Sequence, residues 1–333
     1  MKKRFRLFLI FITPFLLLSC ETDFDVIADY KEVAIVYGLL DQTDSVHYLR
    51  INKAFLGNGN SIAYSQVADS STFGADITVK LIETGSNQEI IFDTVTLYNK
   101  QPGDFYFPGQ LFYASTAKLD ESKTYELKVV SKKTSYAVDS KTSLVRNFSV
   151  TKPASGAKTI SFKRAFTQQM KFSWQNAKNG KRYLFRLFYN YKELNSAGDT
   201  TYRKIEWIFP EEISENTNGV GESDVMYLNE DFFKLCESKI PYADAATEEA
   251  VTKRFSSTCD IEVIAIGDEF NTYLEANGPT TGVLMEKPNY SNITNGLGLF
   301  SSRHRIQRAP IPLSAETIFD LSTTTNLKFA KPN

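Results

Sequence analysis

Apolar and polar side chains alternate along much of this chain, and the alternation restricts its fold more than any other property. In residues 182–193, Tyr183, Phe185, Leu187 and Tyr189 occupy every second position. Side chains alternate with a period of 2 on a strand and with a period of 3.6 on a helix. The 25 Phe and 17 Tyr residues also favour pleated, half-buried surfaces. The chain is therefore predicted to be mainly β.

The first half contains short candidate strands separated by turn signals. Residues 33–40 form a continuous apolar run, which indicates a strand covered on both faces, and residues 47–55 alternate. Further candidate strands are residues 75–83, 89–95, 110–113, 124–130, 136–142 and 146–151. Their number and spacing predict an immunoglobulin-like β-sandwich over residues 32–151.

The second half combines strands with short helices. Residues 152–156 carry the composition of a linker, and residues 157–333 are predicted to form a β-rich domain. Three helical stretches are predicted in it: residues 229–239, with Asn229 as the cap, residues 245–255, and a stretch that begins at Asp268.

The N-terminus has the pattern of an export signal. Four bases precede an apolar run of about a dozen residues, which is short for a bilayer span. Ser19 directly precedes Cys20, as in a bacterial lipobox. We expect residues 1–19 to be removed and Cys20 to carry acyl chains, each buried methylene contributing about 0.8 kcal/mol to membrane affinity. The alternative is an uncleaved helix with a chance cysteine.

The residues after the cysteine are acidic. Residues 20–31 are predicted to be a tether, and Glu21, Asp23 and Asp25 resemble a surface-export signal. Acidic residues also occur in ordinary tethers, which leaves the periplasmic and the extracellular face both open. The chain carries a formal charge of −1, and loss of the four leader bases makes it −5. This balance argues against nucleic acid and anionic headgroups as partners.

Two cysteines remain once Cys20 is set aside. Cys236 and Cys259 form an even pair in an exported chain and are a candidate disulfide. Such a bridge would contribute about 3 kcal/mol by limiting the unfolded chain. Two free buried thiols are the alternative.

Residues suited to catalysis are sparse, and we expect no enzyme, cofactor or metal. His47 and His304 are the two histidines, and no spacing typical of metal ligands surrounds them. Two carboxylates suffice for glycoside hydrolysis. The best candidate cluster is Glu206, Glu211, Glu212 and Glu215. Such runs are usually solvated strand edges, and a hydrolase is kept as a third alternative.

An aromatic triplet is the main candidate for a binding surface. Phe105, Tyr106 and Phe107 lie between two Pro-Gly pairs and could form an exposed loop tip. Aromatic tips are good anchors for protein interfaces and platforms for sugars. The alternative is that the three rings fold back onto the sandwich as core.

A glycine-containing run lies near the C-terminus. In residues 291–300, Gly296 and Gly298 permit positive φ or a close backbone approach, and Leu297, Leu299 and Phe300 are expected to pack inward. A phosphate-binding loop would need a following Lys–Ser/Thr pair and a helix. Neither feature follows this run.

Three segments together carry a family resemblance. They are the acidic tether leading into residues 33–39, the pattern around residues 103–106 and 125–129, and the run 288–300. The chain thereby resembles an outer-membrane lipoprotein family of the Bacteroidota that has no assigned function. Its members often accompany TonB-dependent receptors. The resemblance covers most of the chain after Cys20, is weakest over residues 200–260, and supplies no catalytic residues.

These features lead to one functional expectation. We expect a non-catalytic lipoprotein, anchored in the outer membrane and exposed at the cell surface. It would serve as an accessory subunit of a TonB-dependent β-barrel receptor or of another envelope complex. The alternative is a stand-alone surface module that binds a glycan or a protein.

Overall fold

The computed structural model describes residues 33–54, 61–164, 167, 169–242, 250–278 and 290–332. Strand accounts for 49% and helix for 15%, which confirms the prediction of a mainly β protein. The strands are β1 (Ala34–Leu40), β2 (His47–Lys53), β3 (Ile77–Glu83), β4 (Glu89–Leu97), β5 (Gln110–Ser115), β6 (Thr124–Ser131), β7 (Ala137–Ser143), β8 (Val150–Lys152), β9 (Gln169–Gln175), β10 (Arg182–Asn195), β11 (Thr200–Ile208), β12 (Glu212–Ile213), β13 (Glu222–Leu228), β14 (Val251–Ile266) and β15 (Leu297–Pro312).

The helices are short. They are α1 (Ser61–Ser65), α2 (Ala68–Ser71), α3 (Asn229–Lys239), α4 (Asp268–Asn277) and α5 (Ala315–Thr324). Within the described ranges, none of them has the length and apolar composition that a bilayer crossing requires.

One twelve-stranded sheet joins both halves of the chain. Its order is β11-β10-β14-β15-β1-β2-β5-β4-β3-β6-β7, and β12 pairs with β10 beside this path. The strands β13, β9 and β8 form a separate sheet of three. The finer prediction of an immunoglobulin-like sandwich is not confirmed. The seven N-terminal strands are paired side by side in one sheet, in the order β1-β2-β5-β4-β3-β6-β7.

Strand β15 connects the two halves. Its first six residues pair in parallel with β1, from Ile35 opposite Leu297 to Leu40 opposite Ser302. Its later residues pair antiparallel with β14, beginning with Arg303 opposite Ile266. A C-terminal strand therefore completes the N-terminal part of the sheet.

Two clusters of buried side chains form the hydrophobic interior. The N-terminal core includes Val36, Leu49, Leu127 and the C-terminal residue Phe300. The C-terminal core includes Trp174, Phe185, Phe232, Cys236 and Cys259. Each core takes residues from both predicted domains, since Ile293 and Phe300 belong to the first core and Val145 and Phe148 to the second. The predicted domain limits 32–151 and 157–333 stay a prediction.

Local predictions in the second half are met to different degrees. The helices at 229–239 and from Asp268 are confirmed, but Leu228 is the N-cap of α3, and the Asp231 carboxylate accepts its backbone N–H at 2.9 Å. The predicted helix 245–255 is wrong where it is described, because residues 251–255 belong to β14. Pairing with β10, where Lys253 lies opposite Leu194, outweighs the local helical preference.

Candidate binding groove

The outward face of β1 and β2 forms the floor of a groove. Alternate residues of both strands are buried in the N-terminal core, so the residues between them face outward. The antiparallel register places Tyr37 opposite Arg50 and Ile35 opposite Asn52. Directly opposite residues have Cβ atoms about 4.5–5.5 Å apart. Tyr37 and Arg50 are therefore immediate neighbours on the floor.

Two compartments and a recess make up the groove. The first compartment, of about 690 Å³, lies between the floor and the segments that contain Ile62, Ser71 and Phe105. The second, of about 510 Å³, is lined by Phe270 and Tyr273 of α4 together with residues of β2 and β5. The recess contains Lys100. Tyr37 and Arg50 line both compartments, so the two compartments adjoin at these side chains.

The aromatic triplet is at the edge of this groove. Phe105, Tyr106 and Phe107 are 50%, 40% and 44% exposed, which confirms the exposed-loop alternative over packing into the core. Hydrogen bonds hold the loop: Tyr106 N donates to Ser65 O at 2.9 Å, and Gln66 Nε2 donates to the Asp104 carbonyl at 2.7 Å. Phe105 lines the first compartment. The role of the triplet as an interface stays a prediction.

Aromatic side chains also line the second compartment. Tyr48 and Phe112 pack edge to face, with ring centroids 6.0 Å apart. Burial and a hydrogen bond with Tyr37 raise the pKa of Tyr273. Tyr37 of β1 and Tyr273 of α4 both line this compartment, so the helix forms the wall beside the floor.

The groove is cationic although the chain is acidic. Its charged lining residues are the cations Arg50, Lys53, Lys100 and Arg303 and the carboxylates Asp44 and Asp104. Arg303 and Asp44 lie 3.7 Å apart as an ion pair. Burial and the positive charge of Arg50 lower the pKa of Lys100. The lining therefore has a surplus of two positive charges around Arg50.

Arg50 itself is paired with a neutral side chain. Its Nε donates to Asn52 Oδ1 at 2.8 Å, and within the described part of the chain no carboxylate forms an ion pair with it. The hydrogen bond orients the guanidinium, and none of the described carboxylates forms an ion pair that would compensate its charge. A planar guanidinium with this environment is suited to bind a carboxylate through two parallel hydrogen bonds.

The remaining predicted site residues lie elsewhere. The lipidation residue Cys20 and the acidic residues Glu21, Asp23 and Asp25 are outside the described residues. Of the carboxylate cluster, Glu206 lies 3.5 Å from Arg186 and Glu211 forms an ion pair with Arg182. Each of these two glutamates is the ion-pair partner of an arginine on β10.

The two histidines are buried in separate environments. His47 Nε2 lies 3.0 Å from the Ala117 carbonyl, and burial lowers the pKa of His47. His304 Nδ1 lies 3.1 Å from Asp41 Oδ1. Burial raises the pKa of Asp41, but hydrogen bonds from His304 and Thr43 outweigh it and leave that pKa below its usual value. The Asp41–His304 contact joins the end of β1 to β15.

The predicted disulfide is wrong for the structure, in which Cys236 and Cys259 are both free and buried. They lie in the C-terminal core on α3 and β14, where thiols pack as small apolar groups. Burial raises the pKa of both thiols, that of Cys259 with a further contribution from Cys236.

These surroundings predict the reactivity of the two thiols. In the Cys20→Ala protein, the folded chain is expected to react with a thiol reagent at neither cysteine, since the nucleophilic thiolate is disfavoured. After unfolding in denaturant without reductant, two thiols per chain should react. A count of zero in denaturant would show that the bridge forms.

The groove is not identified by the sequence alone. Alternation in residues 47–55 places Tyr48, Arg50 and Asn52 on one face, which is the available signal. Tyr37 and Tyr273 join them only because β1 pairs with β2 and α4 packs near β1.

Neither a scan against models of known protein families nor a search of curated proteins finds a match to this chain.

Proposed function

We propose that this chain is an outer-membrane lipoprotein, anchored through Cys20 and exposed at the cell surface, that acts by contact and without catalysis. In this proposal it is an accessory subunit of a TonB-dependent β-barrel receptor or of another envelope complex. The leader, the Ser19–Cys20 junction and the acidic tether support the anchor. The family resemblance supports the type of partner.

The groove is the observation that carries the contact role. It combines a concave floor with exposed aromatic side chains and a central arginine that has no carboxylate ion pair in the described residues. Tyrosine and arginine are enriched among the residues that dominate binding energy at interfaces. A surface of this composition is suited to hold a partner by contact.

A second candidate function is a stand-alone surface module for a glycan or a protein ligand. The size of the first compartment favours it, since about 690 Å³ lies within the usual 300–1,000 Å³ of ligand sites. Phe105 and Tyr37 would supply the apolar contact area in that compartment.

The anchor is tested by removing the lipidation residue. Cys20→Ala is expected to abolish incorporation of a fatty-acid probe and to release most of the protein from membranes, because two or more acyl chains provide stable anchoring. Cys236→Ala, which removes a different cysteine, should still be labelled. An unlabelled wild-type protein, or a Cys20→Ala protein as membrane-bound as the wild type, would contradict the anchor.

The accessory role is tested by affinity purification after gentle detergent extraction. A β-barrel protein is expected to copurify in stoichiometric amount. A monomer that purifies alone and binds glycan would support the second candidate instead.

A further inference from the structure

We infer that the groove binds an acidic saccharide, with a sugar-ring carboxylate on Arg50 and the ring faces on Tyr37 and its aromatic neighbours. This inference rests on the contact role proposed above and specifies the ligand chemistry of the same groove.

The first argument is the backbone pairing of the floor. Strand β1 is paired on one side with β15 and on the other with β2, and β2 is paired further with β5. The floor therefore has no open strand edge. An extended peptide obtains much of its affinity from main-chain hydrogen bonds to such an edge. A ligand on this floor must be recognised by side chains, which favours a ligand made of rings.

The second argument is the arrangement of exposed aromatic rings. Tyr37, Tyr48 and Phe105 are 42%, 41% and 50% exposed. The face of an aromatic ring carries negative charge density, and the C–H groups of a sugar ring carry partial positive charge. Sugar rings therefore pack well on such faces. Because Tyr37 lies between the two compartments, a chain of sugars that spans both must pass over it.

The third argument is charge complementarity. Arg50 is in the centre of the groove, and its Nε is used by Asn52 while its two terminal nitrogens make no hydrogen bond with the described residues. Lys53 and Lys100 line the same region. On a chain of net negative charge, a local cationic surface concentrates anions at that position. A carboxylate bound to Arg50 would also relieve the repulsion between Arg50 and Lys100.

The experiment uses the full mature chain in mild detergent and isothermal titration calorimetry. The probe is a hexamer of galacturonate, and the comparison ligand is the same hexamer with its carboxylates methyl-esterified. The acidic hexamer is expected to bind with a dissociation constant below about 1 mM and at least about tenfold more tightly than the ester. A peptide of six glutamates tests charge without sugar rings and should bind at least about tenfold more weakly.

Variants assign the binding to the groove. Arg50→Gln and Tyr37→Ala are each expected to weaken binding of the acidic hexamer at least about tenfold, since each removes a direct contact. Lys204→Gln and Tyr202→Ala are matched controls on β11 at the far edge of the sheet and should bind like the wild type. Tyr202 is 74% exposed, so its removal tests an exposed ring outside the groove. If Arg50→Gln or Tyr37→Ala lowers the thermal midpoint, Lys100→Gln and Tyr48→Leu replace them.

Several results would overturn the inference: no binding of the acidic hexamer at about 1 mM, equal binding of the ester, tighter binding of the glutamate peptide, or equal losses in the β11 controls. Each of these can occur while Cys20 is labelled and a barrel protein copurifies. Failure of the saccharide inference is therefore distinguishable from failure of the proposed anchor and partner.

Discussion

Replacing Arg254 by methionine is expected to lower the free energy of unfolding by about 3–5 kcal/mol, the cost of removing one partner of a buried ion pair. The Arg254 side chain is 1% exposed and donates from Nε to Glu193 Oε1 at 2.9 Å. Its terminal nitrogens donate to the carbonyls of Leu327 at 2.7 Å and Pro241 at 2.8 Å. The substitution leaves both carbonyls and one carboxylate oxygen without these donors.

The control is Arg203→Met, which removes the other cation of the same carboxylate. Arg203 Nε lies 2.8 Å from Glu193 Oε2, but its side chain is 56% exposed. A solvated pair contributes about 0–1 kcal/mol, so this variant should change stability by no more than that. Urea denaturation followed by tryptophan fluorescence measures both. Equal, small losses of unfolding free energy in the two variants would show that the buried Arg254–Glu193 pair contributes no more to stability than the exposed Arg203–Glu193 pair.

The Glu193–Arg254 pair also predicts that the stability of the protein depends on pH. Burial raises the pKa of Glu193, but hydrogen bonds from Arg203 and Arg254 outweigh it and keep that pKa below its ordinary value of 4.5. A carboxylate with a lowered folded-state pKa stabilises the protein fully above its unfolded pKa, and the contribution is lost as pH falls through the folded pKa. Arg254→Met should therefore lose less stability than the wild type when the pH falls below the ordinary value of 4.5.

Gly298→Ala is expected to destabilise the protein by at least about 3 kcal/mol, because a conformational cost and a steric overlap add together. Gly298 has φ +112, a conformation that costs a non-glycine residue about 1–3 kcal/mol. A Cβ at this position would also overlap the carbonyl of Val36, its partner in the parallel β1–β15 pair. Since both backbones are held by the sheet, the overlap adds a packing cost.

Two other glycines separate the conformational cost from the overlap. Gly85 has φ +102, and no described atom lies within 4 Å of the position that a Cβ would take there. Gly85→Ala should therefore lose only about 1–3 kcal/mol. Gly156 has similar open space among the described residues and no positive φ, so Gly156→Ala should be neutral or slightly stabilising.

Denaturation midpoints measure the three glycine variants, and limited proteolysis is used if Gly298→Ala does not purify. If the Gly298→Ala protein is no less stable than the Gly85→Ala protein, the overlap with the Val36 carbonyl adds no cost, and the prediction is wrong.

The glycine-containing run shows how far a local pattern leads. Its glycines are predicted to allow a positive φ or a close approach, and Gly298 combines both. Leu299 and Phe300 are buried as predicted, whereas Leu297 is 40% exposed. The sequence indicates the conformation of the run but not its partner strand, because β1 lies more than 250 residues away along the chain.

Sequence patterns are enough to predict the mainly β character, the alternation of faces on long strands such as β10, and the positions of α3 and α4. These are local properties, since side-chain periodicity is set within a few residues. The folded structure is needed to show that β15 joins the two halves, that residues 251–255 form a strand, and that Cys236 and Cys259 are buried free thiols. The structure also shows that Tyr37, Arg50 and Tyr273 line one compartment. Strand pairing and side-chain packing depend on residues distant in the chain, and no local pattern specifies which distant segments meet.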